Sequence, residues 1–156
     1  MIREIENLEA LKKFAHEIAR ECAGSRYLIL LDGPMGAGKT QFTRYLLEAM
    51  GSQEAASPSF AIHNRYETTA GPVEHVDLYR IDNVDDLEST GFWDLFLEKS
   101  GLVIVEWSDR LKDWGVYSHL PRNWPLIKMR FDIPPKELNP SGTKRDVLVQ
   151  KTVKPR

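Results

Sequence analysis

The sequence predicts an α/β fold of three layers, in which a central mixed, largely parallel sheet is flanked by helices. Two continuous apolar runs, at residues 28–31 and 102–105, are typical of strands that are buried on both faces. Segments with apolar residues three and four apart, which are typical of helices, lie on both sides of the first run. A chain of 156 residues is expected to form one domain over residues 1–156, with residues 151–156 frayed.

The first half of the chain predicts a helix, a strand and a second helix. The first helix is expected over residues 5–23, with Asn7 as its N-cap and Gly24 after its end. Its apolar face would carry Leu8, Leu11, Phe14 or Ala15, Ile18 and Cys22. A buried strand follows over residues 26–33, and the second helix runs from Lys39 until Gly51. Residues 51–59 are expected to form a loop.

The second half of the chain predicts mostly strands. Residues 60–68 alternate in polarity like a half-buried strand, and residues 73–81 would return as its hairpin partner. The stretch 82–101, rich in acid at its start, predicts a helix that is interrupted near Gly91. The second buried strand ends in an acid, Glu106, and two late strands are expected over residues 125–133 and 146–153.

Residues 33–40, GPMGAGKT, fit the phosphate-binding pattern G-x-x-x-x-G-K-[ST] between a predicted strand and a predicted helix. The three glycines let the backbone turn successive N–H groups towards phosphate oxygens. Lys39 would supply a charge for the β- and γ-phosphates, and Thr40 would offer a hydroxyl to magnesium. A chance glycine turn is the alternative, but the flanking strand and helix favour a P-loop and therefore a P-loop NTPase-like fold.

Two acidic residues are candidates to complete such a site. Glu106 ends the second buried strand, where P-loop proteins usually place an acid that serves the metal, although an ordinary polar strand end fits equally well. Asp77 would share one strand face with His75 and Tyr79, which suits a site lining as well as a solvated face. Trp107 is a candidate wall of the site, but a tryptophan is more often part of a core.

Composition and charge exclude some classes of function. The net charge of −2 offers no basic excess of the kind that a large direct nucleic-acid surface requires. The one cysteine, Cys22, cannot form an internal disulfide or a zinc cluster and is expected to be buried on the first helix. The first residues lack an apolar signal core and no apolar run is long enough to span a membrane, so a cytoplasmic protein is expected.

Four motifs, taken in order, resemble the TsaE (YjeE) family of bacterial P-loop ATPases, which act in tRNA threonylcarbamoyladenosine biosynthesis. They are GPMGAGKTQFTR, SPSF, HVDLYR with LESTGF behind it, and VIVEW. The resemblance extends from the first helix to about Arg110. The P-loop alone is shared by many ATPases and GTPases, whereas the ordered set is specific.

The resemblance implies an ATP hydrolase with ATP and Mg²⁺ as cofactors. It would help to form the threonylcarbamoyl modification on adenosine of tRNAs that read codons starting with adenine. The implied partners are the proteins TsaB and TsaD, whose complex is reset by ATP hydrolysis and which would make most of the contact with tRNA.

The resemblance also implies a role for individual residues. Lys39, Asp77 and Glu106 would serve catalysis, and Thr40, Asp77 and Glu106 would serve the metal. The nucleotide-binding residues would be Gly33, Met35, Gly36, Ala37, Gly38, Lys39, Thr40, Gln41, Ser57, Ser59 and Trp107.

Three positions depart from the family pattern. Pro34-Met35 stands where Asp-Leu is common, so the mouth of the loop lacks a carboxylate and one backbone N–H. Ser59 replaces the usual threonine but keeps the hydroxyl, and Leu11 stands near a position where a threonine is frequent.

Two other functions stay open. A small P-loop kinase acting on a metabolite or nucleotide fits the length, but the sequence has no obvious paired arginine motif for a lid. A nucleotide-dependent binding switch without turnover is the third possibility. The sequence has no N-K-x-D motif for reading guanine, which favours ATP over GTP without deciding between them.

Overall fold

The structure is a computed structural model that describes residues 1–52, 63–97 and 101–152. Its strands are β1 (Ile2–Ile5), β2 (Tyr27–Asp32), β3 (His63–Thr68), β4 (Gly71–Asp77), β5 (Leu102–Glu106), β6 (Leu126–Asp132) and β7 (Arg145–Thr152). Its α-helices are α1 (Leu8–Cys22), α2 (Lys39–Ala49), α3 (Val84–Ser89) and α4 (Asp109–Asp113). Short 3-10 helices cover Phe92–Leu97, Tyr117–His119 and Lys136–Leu138.

The seven strands form one mixed sheet in the order β1-β7-β6-β2-β5-β4-β3. The four central strands β6, β2, β5 and β4 pair in parallel. The three outer pairings, β6 with β7, β7 with β1 and β4 with β3, are antiparallel. The carboxyl ends of the four parallel strands therefore meet at one edge of the sheet, which is where α/β proteins build their sites.

Helices cover the sheet on both faces and confirm the predicted three layers. On one face α1 and α2 pack through the rings of Phe14, Phe42 and Phe131, whose neighbouring centroids are 5.6 and 5.8 Å apart. On the other face a second core includes Leu87 from α3, Leu111 from α4 and Phe92 from the 3-10 helix at residues 92–97. All six residues of β2 are buried, which explains its unbroken apolar run.

Helix α1 begins three residues later than predicted, because residues 2–5 form β1. That strand pairs with β7 from the far end of the chain, a contact that local sequence does not reveal. The N-cap prediction is confirmed, since the Asn7 side chain accepts a hydrogen bond of 2.9 Å from the N–H of Ala10. The prediction for Leu8 is wrong: its side chain is 60% exposed, at the solvent side of the first turn.

Strand β4 ends at Asp77 instead of continuing to residue 81. The Asp77 carboxylate accepts a hydrogen bond from the N–H of Tyr79 at 3.0 Å, and the N–H of Ile81 bonds to the carbonyl of Leu78 at 3.1 Å. These local bonds turn the chain out of the sheet. Tyr79 therefore lies beyond the strand rather than on its face.

Two further expectations are corrected near the end of the chain. Lys151 and Thr152 are not frayed but pair with Ile127 and Leu126 in the sheet. Helix α4 was not predicted, because it has only five residues and directly follows a strand. Cys22 is buried as expected, and burial raises the pKa of its thiol to about 12.

Some expectations fall outside the described residues, or can be tested only within them. The predicted loop of residues 51–59, with Ser57 and Ser59, lies mostly in residues 53–62, which the structure does not describe. Within residues 1–52, 63–97 and 101–152, no helix has both the length and the apolar character needed to cross a membrane.

Candidate functional site

The loop of residues 33–38 joins the end of β2 to the start of α2 at the carboxyl edge of the parallel strands. Gly33 has a φ of 133°, and a Cβ atom added there would lie 2.2 Å from the backbone oxygen of Phe131 in β6. A side chain does not fit at this distance, so the neighbouring strand requires glycine at the first position of the loop.

Helix α2 presents its N-terminus to the loop without a side-chain cap from the described residues. Gly38 occupies the N-cap position with a φ of 111°, in the left-handed region that glycine tolerates. The first N–H groups of the helix and the positive end of its dipole are therefore available to an anion.

Lys39 is a buried cation at the centre of this region, with 5% of its surface exposed. Its Nζ donates hydrogen bonds to the carbonyls of Gly33 and, at 3.2 Å, Pro34, and lies 4.0 Å from the ring centroid of Trp107. Burial lowers the pKa of the ammonium group, while the carboxylates around it, Glu106 first, act in the opposite direction. The lysine is therefore folded back onto its own loop.

Glu106 ends β5 next to the loop and is only 1% exposed. Its Oε1 accepts a hydrogen bond of 3.1 Å from the hydroxyl of Thr40. Its Oε2 lies 2.5 Å from Nε2 of His75 in β4. Both carboxylate oxygens are thus held by named partners, which fixes the orientation of the group.

Asp77 ends the next strand, β4, and is the register partner of Glu106. Parallel pairing therefore brings the two predicted acids side by side at the same edge of the sheet. Burial raises the pKa of the Asp77 carboxyl group above its ordinary value, opposed by the hydrogen bond from the N–H of Tyr79. The charge of Glu106 also raises the pKa of Asp77.

Trp107 follows Glu106 with a φ of 62°, in the left-handed region that residues other than glycine rarely adopt. Its N–H donates to the carbonyl of Leu31 at 2.8 Å, and its ring lies 5.1 Å from that of Tyr79. Unusual backbone conformations of this kind concentrate at functional sites. The two aromatic rings form one wall of the site.

Asp32 is a buried acid at the end of β2, directly before the loop, and no sequence motif predicted its role. Its carboxylate accepts hydrogen bonds from the hydroxyl of Ser108 and, at 2.7 Å, from the N–H of Asp109. Burial raises the pKa of this carboxyl group. The residue ties the end of β2 to the first turn of α4, and its position directly before the glycine octet was the only available signal.

The loop, Lys39, Thr40, the two strand-end acids and the two aromatic rings surround a cleft of about 400 Å³, which Asp32 does not line. The predicted residues that line it are Met35, Gly36, Ala37, Gly38, Lys39, Thr40, Gln41, Asp77, Glu106 and Trp107. Gly33 lines a neighbouring groove of about 600 Å³ instead, together with Pro34, while Trp107 borders both. Ser57 and Ser59 lie outside the described residues. Arg44 and Tyr79 also line the cleft; Arg44 follows Thr40 by one helical turn, and that spacing could have indicated it.

The oxygen donors in the cleft fit magnesium held jointly with a nucleotide. The Thr40 hydroxyl and the carboxylates of Glu106 and Asp77 are hard oxygen ligands, which Mg²⁺ prefers. Among the residues that the structure describes, no group of three or more His, Cys, Asp or Glu side chains forms a metal cage. A magnesium ion bound by one or two carboxylates together with substrate phosphates needs no such cage.

Comparison with known proteins identifies the family. The family model described as threonylcarbamoyl adenosine biosynthesis protein TsaE matches residues 5–133. The chain belongs to the TsaE family. All residues that line the cleft lie within the matched region.

Individual relatives agree with the TsaE family model. A protein of Aquifex aeolicus named tRNA threonylcarbamoyladenosine biosynthesis protein TsaE is 38% identical over 111 residues, which cover 69% of this chain and 77% of that protein. A Rickettsia felis protein of the same name is 30% identical over 131 residues, 83% of this chain and 71% of that protein. The crystal structure of Bacillus subtilis YdiB has the same fold, with a TM-score of 0.66 and 22% identity, covering 98% of this chain and 85% of that one.

Proposed function

We propose that this member of the TsaE family is a magnesium-dependent ATPase. The proposal extends to the pathway for which the family is named: the protein would act in forming the threonylcarbamoyl modification on tRNA adenosine, together with the proteins TsaB and TsaD. Water is the proposed acceptor of the γ-phosphoryl group. Its attack on the γ-phosphorus breaks the bond to the bridging oxygen and yields ADP and inorganic phosphate.

The loop and the helix N-terminus would bind the triphosphate. The N–H groups at the start of α2 and the ammonium group of Lys39 face a common space in the cleft, where they offset the phosphate charge. Lys39 would exchange its bonds to the Gly33 and Pro34 carbonyls for bonds to phosphate oxygens. The adjacent ring of Trp107 would keep water away from one side of the cation.

Thr40, Glu106 and Asp77 would hold magnesium, which neutralises charge that develops on the phosphates. Thr40 and Glu106 already share a hydrogen bond, so the two ligands are oriented before a nucleotide binds. Asp77 lies beside them and, with its burial-raised pKa, is suited to orient the attacking water and to take its proton.

One observation carries the proposal: the N-terminus of α2, which has no side-chain cap from the described residues, lines the same cleft as Lys39 and two strand-end carboxylates. A phosphate site alone would fit a kinase or a switch equally well. The second carboxylate beside the first supplies a group for activating water, which a binding switch without turnover does not need.

The roles of these residues are tested by separating nucleotide binding from hydrolysis. We expect Lys39→Ala to lose ATP binding, because its buried ammonium group lines the cleft at the start of α2. Glu106→Ala and Asp77→Ala should still bind ATP through the loop and Lys39, although Glu106→Ala loses the added affinity that magnesium gives. Both should lose hydrolysis, which in such sites costs about a hundredfold or more. The measurements are equilibrium ATP binding and steady-state phosphate release.

Asp132→Ala is the matched control for the acidic variants. Asp132 also ends a parallel strand, β6, but its side chain is 56% exposed and it borders the neighbouring groove instead of the cleft. The Asp132→Ala variant should hydrolyse ATP at the wild-type rate. Full hydrolysis by both acid variants would contradict the assigned roles, and transfer of phosphate to a metabolite instead of water would favour the kinase.

A further inference from the structure

His75 lies behind the cleft and contacts one of its acids. It is in the middle of β4, two residues before Asp77 and on the same strand face, where it is the register partner of Ile104 in β5. Its side chain is 13% exposed, and it does not line the cleft itself. Its Nε2 lies 2.5 Å from Oε2 of Glu106.

This contact has a defined direction. A carboxylate oxygen accepts hydrogen bonds, so the imidazole must donate from Nε2. The opposite oxygen of Glu106 accepts from the hydroxyl of Thr40 at 3.1 Å. One donor comes from β4 and the other from α2, so together they define the plane of the carboxylate.

Loss of the imidazole would free the Glu106 carboxylate to turn. Glu106 is 1% exposed, so water does not readily replace a missing donor at Oε2. Lys39 is a cation that attracts Glu106: the charge of Glu106 opposes the lowering of the Lys39 pKa that burial causes. A carboxylate turned towards the lysine would no longer present Oε1 beside Thr40.

We propose that His75 is a positioning residue that holds Glu106 in the orientation needed for magnesium. The inference rests on the proposed magnesium–nucleotide site and assigns His75 no contact with nucleotide or metal. Its effect should therefore be confined to magnesium-dependent binding. Nucleotide binding without magnesium, which depends on the loop and Lys39, should not involve it.

The protein contains a matched control in the His63–Glu74 pair. His63 in β3 contacts Oε2 of Glu74 through its Nε2, and the Glu74 side chain is 8% exposed. The pair thus repeats the same contact across neighbouring strands. Glu74 precedes His75 in the chain, so it points to the opposite face of the sheet, away from the cleft.

The test measures the dissociation constant of a non-hydrolysable ATP analogue with magnesium and with EDTA. His75→Ala should lose about 10- to 100-fold in affinity with magnesium and keep the wild-type affinity in EDTA. His75→Gln should restore the affinity with magnesium, because its amide nitrogen reaches about as far as Nε2. His75→Asn, whose amide is too short, should stay impaired, and His63→Ala should match the wild type in both conditions.

Each contrary result has a distinct meaning. Wild-type affinity of His75→Ala with magnesium, an equal loss in EDTA, or the same pattern in His63→Ala would overturn the inference. If His75→Ala fails to fold, the affinities of His75→Gln and His75→Asn with magnesium are compared instead. Equal affinities of these two variants would overturn the inference. If magnesium does not increase the affinity of the wild type for the ATP analogue, both the proposed metal site and this inference are overturned. If magnesium increases the affinity of the wild type as expected but the wild type does not hydrolyse ATP, only the proposed ATPase activity is overturned.

Discussion

Asp32 is a structural residue next to the cleft whose contribution to stability can be measured. Its carboxylate accepts from both the Ser108 hydroxyl and the Asp109 N–H, and the residue is 2% exposed. It thereby connects the strand before the loop to the helix that follows the Glu106–Trp107 segment. A single side chain supports the two chain segments that carry most of the site.

Removing the Asp32 carboxylate should destabilise the fold. Asp32→Ala leaves two donors without an acceptor, so we expect it to lower the free energy of unfolding by about 1–3 kcal/mol in urea titrations. Asp32→Asn keeps an acceptor for Asp109 and should lose less. Asp82→Ala, at an exposed position, is the control and should change stability by less than about 0.5 kcal/mol. Equal stability of all three variants would contradict this role.

The raised pKa of Asp32 predicts a dependence of stability on pH. Burial raises its pKa above 3.8, so the folded protein binds this proton more tightly than the unfolded chain. Its contribution to stability is therefore greatest at low pH and declines as the pH rises through the folded-state pKa. Relative to Asp32→Asn, the wild type should gain stability in urea titrations as the pH falls from neutral towards the ordinary carboxyl value of 3.8. A relative loss in that window would contradict the burial of a charged group.

At the scale of elements, the glycines of the loop at residues 33–38 differ in how much space surrounds them. A Cβ at Gly33 would lie 2.2 Å from the Phe131 oxygen, whereas one at Gly36 would meet nothing within 4 Å, although its φ is 81°. The loop is thus packed against β6 at its start and open to the cleft in its middle. Gly33 is therefore required because a side chain would collide with β6, whereas Gly36 is favoured only because of its backbone conformation.

Alanine substitutions should reproduce that difference. We expect Gly33→Ala to lower the melting temperature strongly, because the β6 backbone must move to admit a methyl group. Gly36→Ala should cost only the left-handed conformation, about 1–2 kcal/mol. Gly24→Ala, at the end of α1 with a φ of 74° and open space, is a control for that cost outside the loop. A Gly33→Ala protein as stable as Gly36→Ala would contradict the close approach of β6.

The start of α1 offers a second test at this scale. Asn7→Ala removes the acceptor for the Ala10 N–H and should lower the free energy of unfolding by about 1 kcal/mol. Leu8→Ala should be nearly neutral, since Leu8 is 60% exposed despite its place in the apolar pattern. Chemical denaturation measures both. A larger loss for Leu8→Ala than for Asn7→Ala would mean that the leucine packs against the core.

At the scale of the whole molecule, the net charge of −2 bears on how a protein of a tRNA pathway meets its tRNA. Direct binding of a tRNA backbone depends on neutralising phosphates with basic residues. We therefore expect the isolated chain to bind tRNA weakly at physiological salt. In the proposed function the tRNA is held mainly by TsaB and TsaD.

The partner proposal is tested by adding TsaB and TsaD to the protein. Steady ATP consumption should rise when both are present, and a pull-down should recover the complex with ATP. Lys39→Ala should give no ATP consumption under any condition, which controls for contaminating ATPases. Failure to bind the partners with or without ATP would leave an ATPase and remove the proposed complex. An ATP consumption rate that does not change when TsaB and TsaD are added would also contradict the proposed complex.

Features that depend on neighbouring residues were predictable from the sequence. The octet at residues 33–40, the Asn7 cap and the buried runs of β2 and β5 each follow from local chemistry, and the structure contains the corresponding elements. The placement of Asp77 beside Glu106 was not predictable in the same way, because the sequence predicted a strand that continues past Asp77, whereas in the structure each acid ends a parallel strand. Their roles in catalysis stay predictions.

The sequence by itself determined the fold class and the residues that are proposed to bind a triphosphate, because both depend on short-range spacing. The tertiary structure alone decided which side chains support them. His75 and Glu106 are 31 positions apart, Asp32 and Ser108 are 76 positions apart, and β1 pairs with β7 from the other end of the chain. Such contacts depend on strand order and register, which local patterns leave open.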